Sequence, residues 1–178
     1  MKKVLIVLLL CFGMNTINAQ MLKFGLKAGA NFSNLEGDNV DGSTYTSYHF
    51  GAVLEFKLLE NLSLQPELLY SSQGKKVDVA GVKDINYNYV TVPVLAKFYL
   101  TSKKLSLEAG PQFSFLINED VAEQFEAESF DFAAAVGLGY NITDNFFAQA
   151  RYVMGLTEAN KDAEVTNRVI QLSVGYRF

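Results

Sequence analysis

Residues 169–178 read Val-Ile-Gln-Leu-Ser-Val-Gly-Tyr-Arg-Phe, and how this stretch alternates decides the fold. Ile170, Leu172, Val174, Tyr176 and Phe178 take turns with Gln171, Ser173, Gly175 and Arg177, the two-residue period of a strand with one apolar and one polar face. A terminal strand of this kind frays unless it is tied down and its apolar face is covered. What covers that face is the question the rest of the chain answers.

The same period recurs upstream over residues 22–32, 47–58, 62–72, 86–100, 104–116, 129–141 and 145–156, and it closes the chain over 165–178. Segments of about ten residues suit strands that cross a bilayer at a tilt. The connections sort by length: 33–46, 73–85, 117–128 and 157–164 are long and polar, whereas 59–61, 101–103 and 142–145 are tight turns. Only 121–130 has a faint helical spacing, and it reads as loop. The pattern predicts an all-β protein, an eight-stranded antiparallel up-and-down transmembrane β-barrel with its long loops at one end.

One strand face is apolar throughout, from Leu26 and Ala28 through Phe50, Ala52, Leu54 and Phe56 to Val90, Val92, Val94, Val136, Leu138, Ala148, Ala150 and Leu172. The opposite face carries Lys23, Lys27, Glu55, Lys57, Glu67, Lys97, Glu108, Asp131, Arg151 and Arg177 among serines and glutamines. Charges enclosed in one interior are costly unless paired, so these ten are expected to form a hydrogen-bonded lumen network. A soluble barrel would show the reverse polarity, and the inversion places lipid outside. The strand glycines fall on the polar face, where a narrow barrel needs small residues. Two aromatic girdles are expected on the outer face. Phe24, Phe56, Phe98, Tyr140, Phe146, Tyr176 and Phe178 mark the turn end, and Phe50, Tyr70, Phe113, Phe115 and Phe130 the loop end. Pro66, Pro93 and Pro111 lie inside strands, where local bulges are expected.

The first residues place Lys2 and Lys3 before an apolar run from Val4 to Phe12, then small and polar residues up to Ala19. This is the order of a secretory signal peptide over 1–19, which leaves 20–178 as the barrel domain. Its loss would leave 13 basic against 19 acidic residues, a net charge near -6 that argues against nucleic acid. The single cysteine, Cys11, lies inside the signal, so the exported domain is expected to have neither disulfide nor thiolate metal site.

The segments "YVTVPVLAKFYL", "EAGPQFSFLI", "DFAAAVGLGYNI", "ARYVMGLT" and "NRVIQLSVGYRF" resemble the PorT-like outer-membrane β-barrel family of Bacteroidetes. In architecture the chain also looks like the small eight-stranded barrels of the OmpX and OmpA type. The resemblance implies a monomer in the outer membrane of a Gram-negative cell, with loops outside and termini in the periplasm. It also implies contact with outer-membrane lipid and lipopolysaccharide, and a closing aromatic pair, Tyr176 and Phe178, as the signal read by the barrel-assembly machinery.

Chemistry is sparse in this sequence. His49, the single histidine, lies near the loop end of the second strand, and general-base work would require a partner within hydrogen-bond reach. No motif near it supplies one, so it reads as a rim histidine, with a lipid-acting enzyme as the alternative. Glu119, Asp120, Glu123, Glu126 and Glu128 crowd one loop without the spacing of a calcium site and read as solvated. No cofactor, metal or catalytic set is expected. Eight strands enclose too little space for a solute channel, so the expected role is a non-enzymatic barrel with a plugged polar lumen, structural or acting through its loops as an envelope accessory. A narrow channel is the alternative.

Overall fold

A computed structural model describes residues 22–36, 44–75, 85–101, 104–120, 130–156 and 166–178. The signal segment and most of the acidic loop lie outside these residues. Eight strands follow one another: β1 (Leu22–Glu36), β2 (Tyr45–Lys57), β3 (Leu62–Lys75), β4 (Ile85–Thr101), β5 (Leu105–Asp120), β6 (Phe130–Asn141), β7 (Phe146–Gly155) and β8 (Thr166–Arg177). Each pairs antiparallel with the next, and β8 returns to β1, so the sheet is a closed barrel. Closure removes both sheet edges and satisfies the backbone within the sheet, the condition for strands in lipid.

The register fixes the shape. From Leu22 the row of partners passes through Phe56, Leu64, Ala96, Ala109, Val136, Tyr152 and Ile170, and comes back to β1 at Phe32. All of these residues are apolar and point outward. A stagger of ten residues, from Leu22 to Phe32, over eight strands tilts the strands by roughly 40°, taking ~3.3 Å rise per residue and ~4.8 Å between strands. Burial follows the period-two pattern: along β7, Phe147, Gln149, Arg151 and Val153 are buried, while Phe146, Ala150 and Met154 are exposed.

The turn end is tied by short-range bonds. Leu58 and Leu59 both donate to the Leu62 carbonyl at 2.9 Å, and the Thr143 hydroxyl oxygen accepts the Phe146 N–H at 2.9 Å. At the seam the Phe178 N–H donates to the Phe24 carbonyl at 2.9 Å, and the Asn145 side chain donates to the Arg177 carbonyl at 2.7 Å.

In its strands the structure departs from the sequence reading in two ways. At the loop end β1, β3 and β5 run past their predicted limits to Glu36, Lys75 and Asp120. With water on both faces, nothing there selects for alternation, although the ladder continues as far as Glu36 opposite Thr166 and Lys75 opposite Ile85. The prolines make no bulge. Pairing lapses after Pro66 opposite Val94 and after Pro93 opposite Gln112, then resumes in the same register at Leu69 opposite Thr91 and Ala96 opposite Ala109. The register shifts in β4 fall instead at Asn88/Tyr89 and Tyr99/Thr101. A proline removes one donor, which interrupts a ladder without adding a residue to it.

Candidate functional site

Among the described residues, the chemistry-bearing side chains converge in the lumen, which is layered. Near the turn end Arg177 of β8 reaches across to Glu55 of β2, Nη1 to Oε2 2.5 Å, and its Nη2 donates to the Asn141 amide oxygen. The Tyr99 hydroxyl donates to the other Glu55 oxygen at 2.5 Å. The Lys97 ammonium lies 3.3 Å from Glu108 and 3.8 Å from Glu55, and donates to the Gln65 side-chain oxygen at 3.2 Å. Phe147, buried between them, takes Arg177 over its ring at 4.6 Å and Lys97 at 5.7 Å. These are cation–π contacts in a space without bulk water.

Deeper in, Glu67 of β3 accepts two bonds from Arg151 of β7, at 2.7 and 2.9 Å, and pairs with Lys27 of β1 at 2.8 Å. Arg151 also lies 3.7 Å from Glu108, whose two oxygens accept from the Gln149 amide at 3.0 and 2.8 Å. The fork of Arg151 matches a carboxylate in two parallel bonds, a geometry lysine cannot supply. Most of these pairs join strands that are not neighbours in the sheet, so they brace opposite walls.

Toward the loop end the lumen divides. Leu95, Ala133, Ala135, Val153 and Val169 form a buried apolar cluster. The wall of β1 to β3 holds neutral polar groups around His49, which is not at the rim as the sequence suggested but inside the lumen and 1% exposed. The Asn31 amide nitrogen donates to the Ser72 carbonyl at 2.7 Å and the Ser71 hydroxyl at 3.0 Å, which leaves its oxygen as acceptor. That oxygen takes a bond from Gln171 at 3.1 Å and faces His49 Nδ1 at 2.7 Å. Nδ1 therefore carries the proton, and Nε2 accepts from the Ser173 hydroxyl at 2.8 Å. Serine, histidine and asparagine stand in the order of a nucleophile triad. Ser173, His49 and Asn31 are only 6, 1 and 0% exposed, however, and their bonds join β8, β2 and β1 across the inner wall as a strut.

Of the ten charges expected in the network, the structure brings seven together in buried contacts: Lys27, Glu55, Glu67, Lys97, Glu108, Arg151 and Arg177. Lys23 is exposed at the turn-end mouth and Lys57 is half-buried there. Asp131 is half-buried near the loop end, opposite Ser114. Their parity is inward, but near the barrel mouths inward no longer means enclosed. The sequence reading passed over the apolar inward residues Val53, Leu69, Leu95 and Phe147, although their odd numbers share the parity of Glu55, Glu67, Lys97 and Gln149.

Outside, the turn-end rings touch in sequence around the closure: Phe24 to Phe178 at 5.8 Å between centroids, Phe178 to Tyr176 at 5.2 Å, and Tyr176 to Phe146 at 4.9 Å. Phe56, Phe98 and Tyr140 are exposed at the same end. At the loop end Phe50 lies 5.3 Å from Tyr70, joined by Tyr48, which is exposed and was not foreseen. Phe130 lies 6.5 Å from Phe113 and 5.5 Å from Phe115. Apolar walls between two rings of aromatics are the outer surface of a barrel in lipid.

A family model described as "Outer membrane protein beta-barrel domain" matches residues 18–160. The chain belongs to this family. Its place is accordingly the outer membrane of a Gram-negative cell. Two solved members of the same architecture share its fold. The attachment invasion locus protein Ail of Yersinia pestis has 16% identity and a TM-score of 0.61 over 89% of this chain and 100% of that one. Neisserial surface protein A has 14% identity and a TM-score of 0.60 over 87% and 97%. Ail in complex with the heparin analogue sucrose octasulfate gives 17% identity and a TM-score of 0.57 over 89% and 100%. No curated protein matches the chain.

Proposed function

We propose that this outer-membrane barrel is a non-conducting, non-enzymatic scaffold, acting structurally or as an envelope accessory through the long loops it holds at one end. The observation that carries this reading is the ion-paired lumen, in which Arg177–Glu55, Lys97–Glu108 and Arg151–Glu67–Lys27 brace the walls in succession and the Leu95, Ala133, Ala135, Val153 and Val169 cluster adds an apolar barrier. An eight-stranded barrel is just wide enough for its own side chains. The sorting of long loops to one end supports loops outside the cell and termini in the periplasm, the orientation usual for such barrels. The PorT-like relationship within the broader family is the finer reading the quoted segments support.

A polysulfated ligand of the kind seen with Ail fits this chain poorly. The net charge is -4, and the loop at 117–128 concentrates carboxylates that would repel it. Reconstitution into a planar bilayer tests the scaffold reading. The trace should stay flat in molar salt, and stepwise conductance from the wild-type barrel would favour the channel instead.

A further inference from the structure

At the seam of the barrel, β1 passes beneath two side-chain contacts that join its two neighbours. Gly29 stands opposite His49 of β2 and Ser173 of β8, and over it His49 Nε2 meets Ser173 Oγ at 2.8 Å. Gly25 stands opposite Val53 of β2 and Arg177 of β8, and past it Arg177 reaches Glu55 at 2.5 Å. Strands two apart are separated by roughly 9.6 Å, so side chains as short as those of Ser173 and His49 meet only over a small residue on the strand between them, whereas the longer Tyr99 and Lys97 reach Glu55 over β3. A Cβ at Gly29 would run into the Leu172 carbonyl oxygen of β8 and meet His49 Cε1 at 2.7 Å and Ser173 Cα at 2.8 Å. At Gly25 it would meet the Tyr176 carbonyl oxygen at 2.6 Å, Arg177 Cγ at 3.0 Å and Val53 Cγ2 at 3.1 Å.

The outer face does not choose this register. A slip of one residue between β8 and β1 turns apolar side chains inward and is rejected by the membrane, but a slip of two preserves the alternation on both faces. What a two-residue slip changes is the lumen. Ser173 would then stand opposite Lys27 or Asn31 in place of Gly29, and Arg177 opposite Lys23 or Lys27 in place of Gly25. In either direction Ser173 loses its place across Gly29 from His49, and the guanidinium of Arg177 comes level with a lysine.

We infer that Gly25 and Gly29, with the Arg177–Glu55 and Ser173–His49 contacts that pass over them, form a register key that selects the pairing in which β8 closes on β1. The key fixes the ten-residue stagger of the barrel, and it gives the buried strut around His49 its purpose.

Cysteine pairs in a Cys11→Ser background read the register directly. Ala30 and Leu172 are partners on the outer face, so A30C/L172C reports the native closure, while A30C/I170C and A30C/V174C report slips of two. The barrel is refolded into lipid vesicles, checked by its heat-modifiable gel mobility and oxidised. With the key intact, A30C/L172C alone should cross-link. In the folded Ser173→Ala/Glu55→Gln background, the ratio of slipped to native cross-link should rise about tenfold, the scale of one to two lost hydrogen bonds. The single Ser173→Ala variant removes one hydroxyl and should show a smaller rise of the same sign. Native cross-link alone in both folded backgrounds would overturn the inference, as would slipped species already abundant with the key intact.

Discussion

Glu67 of β3 holds two cations from other strands, Lys27 of β1 at 2.8 Å and Arg151 of β7, across the barrel, at 2.7 Å, with all three side chains buried. Removing a buried partner strands the charges it neutralised, which costs far more than the pair itself contributes. Glu67→Ala should therefore destabilise the barrel by about 3–5 kcal/mol in urea unfolding from lipid vesicles, where an exposed pair would cost under ~1 kcal/mol. A loss that small at Glu67 would mean that water reaches the network. Parity in the sequence was enough to turn Glu67, Arg151 and Lys27 inward. Which charge meets which was not legible, because Arg151 and Glu67 are 84 residues apart and their meeting depends on tilt and stagger. The sequence placed His49 at a rim for a related reason, since depth inside a tilted barrel depends on register around all eight strands.

Individual strands differ in how firmly they are stitched. Pro66, Pro93 and Pro111 lie on three consecutive strands, and the ladders between β2 and β3, β3 and β4, and β4 and β5 each lapse beside one of them. The ladders joining β6, β7, β8 and β1 run without such lapses through the same depth. Amides flanking the lapses, such as Leu54, Leu68 and Leu95, should exchange with deuterium at least tenfold faster than amides of β7 and β8, because opening there breaks fewer bonds. Uniform protection around the barrel would show that the prolines do not weaken this wall. The existence of these strands was readable from their period, since one face meets lipid and the other a filled lumen. Their outer ends were not, since beyond the membrane both faces meet water and β1, β3 and β5 lose their alternation while keeping their pairing. The proline lapses were misread as bulges because a sequence shows that a donor is missing but not whether the partner strand stays in step.

For the whole molecule the deciding property is inversion, with apolar side chains outside and a braced polar interior. The fold was legible because this inversion is written at every second residue, from Leu26 to Tyr176. The lumen was legible only in composition, since its seven-member network, apolar cluster and His49 strut arise from closure. The most direct test follows that alternation into the bilayer. Single cysteines placed in turn at positions 146–154 of β7 in the Cys11→Ser background, spin-labelled and reconstituted in lipid vesicles, report collision with oxygen, which concentrates in lipid. Collision should be high at 146, 148, 150, 152 and 154, where the native residues are Phe, Ala, Ala, Tyr and Met, and low at 147, 149, 151 and 153, where Phe147, Gln149, Arg151 and Val153 fill the lumen. A flat profile, or one with the odd positions in lipid, would contradict the account.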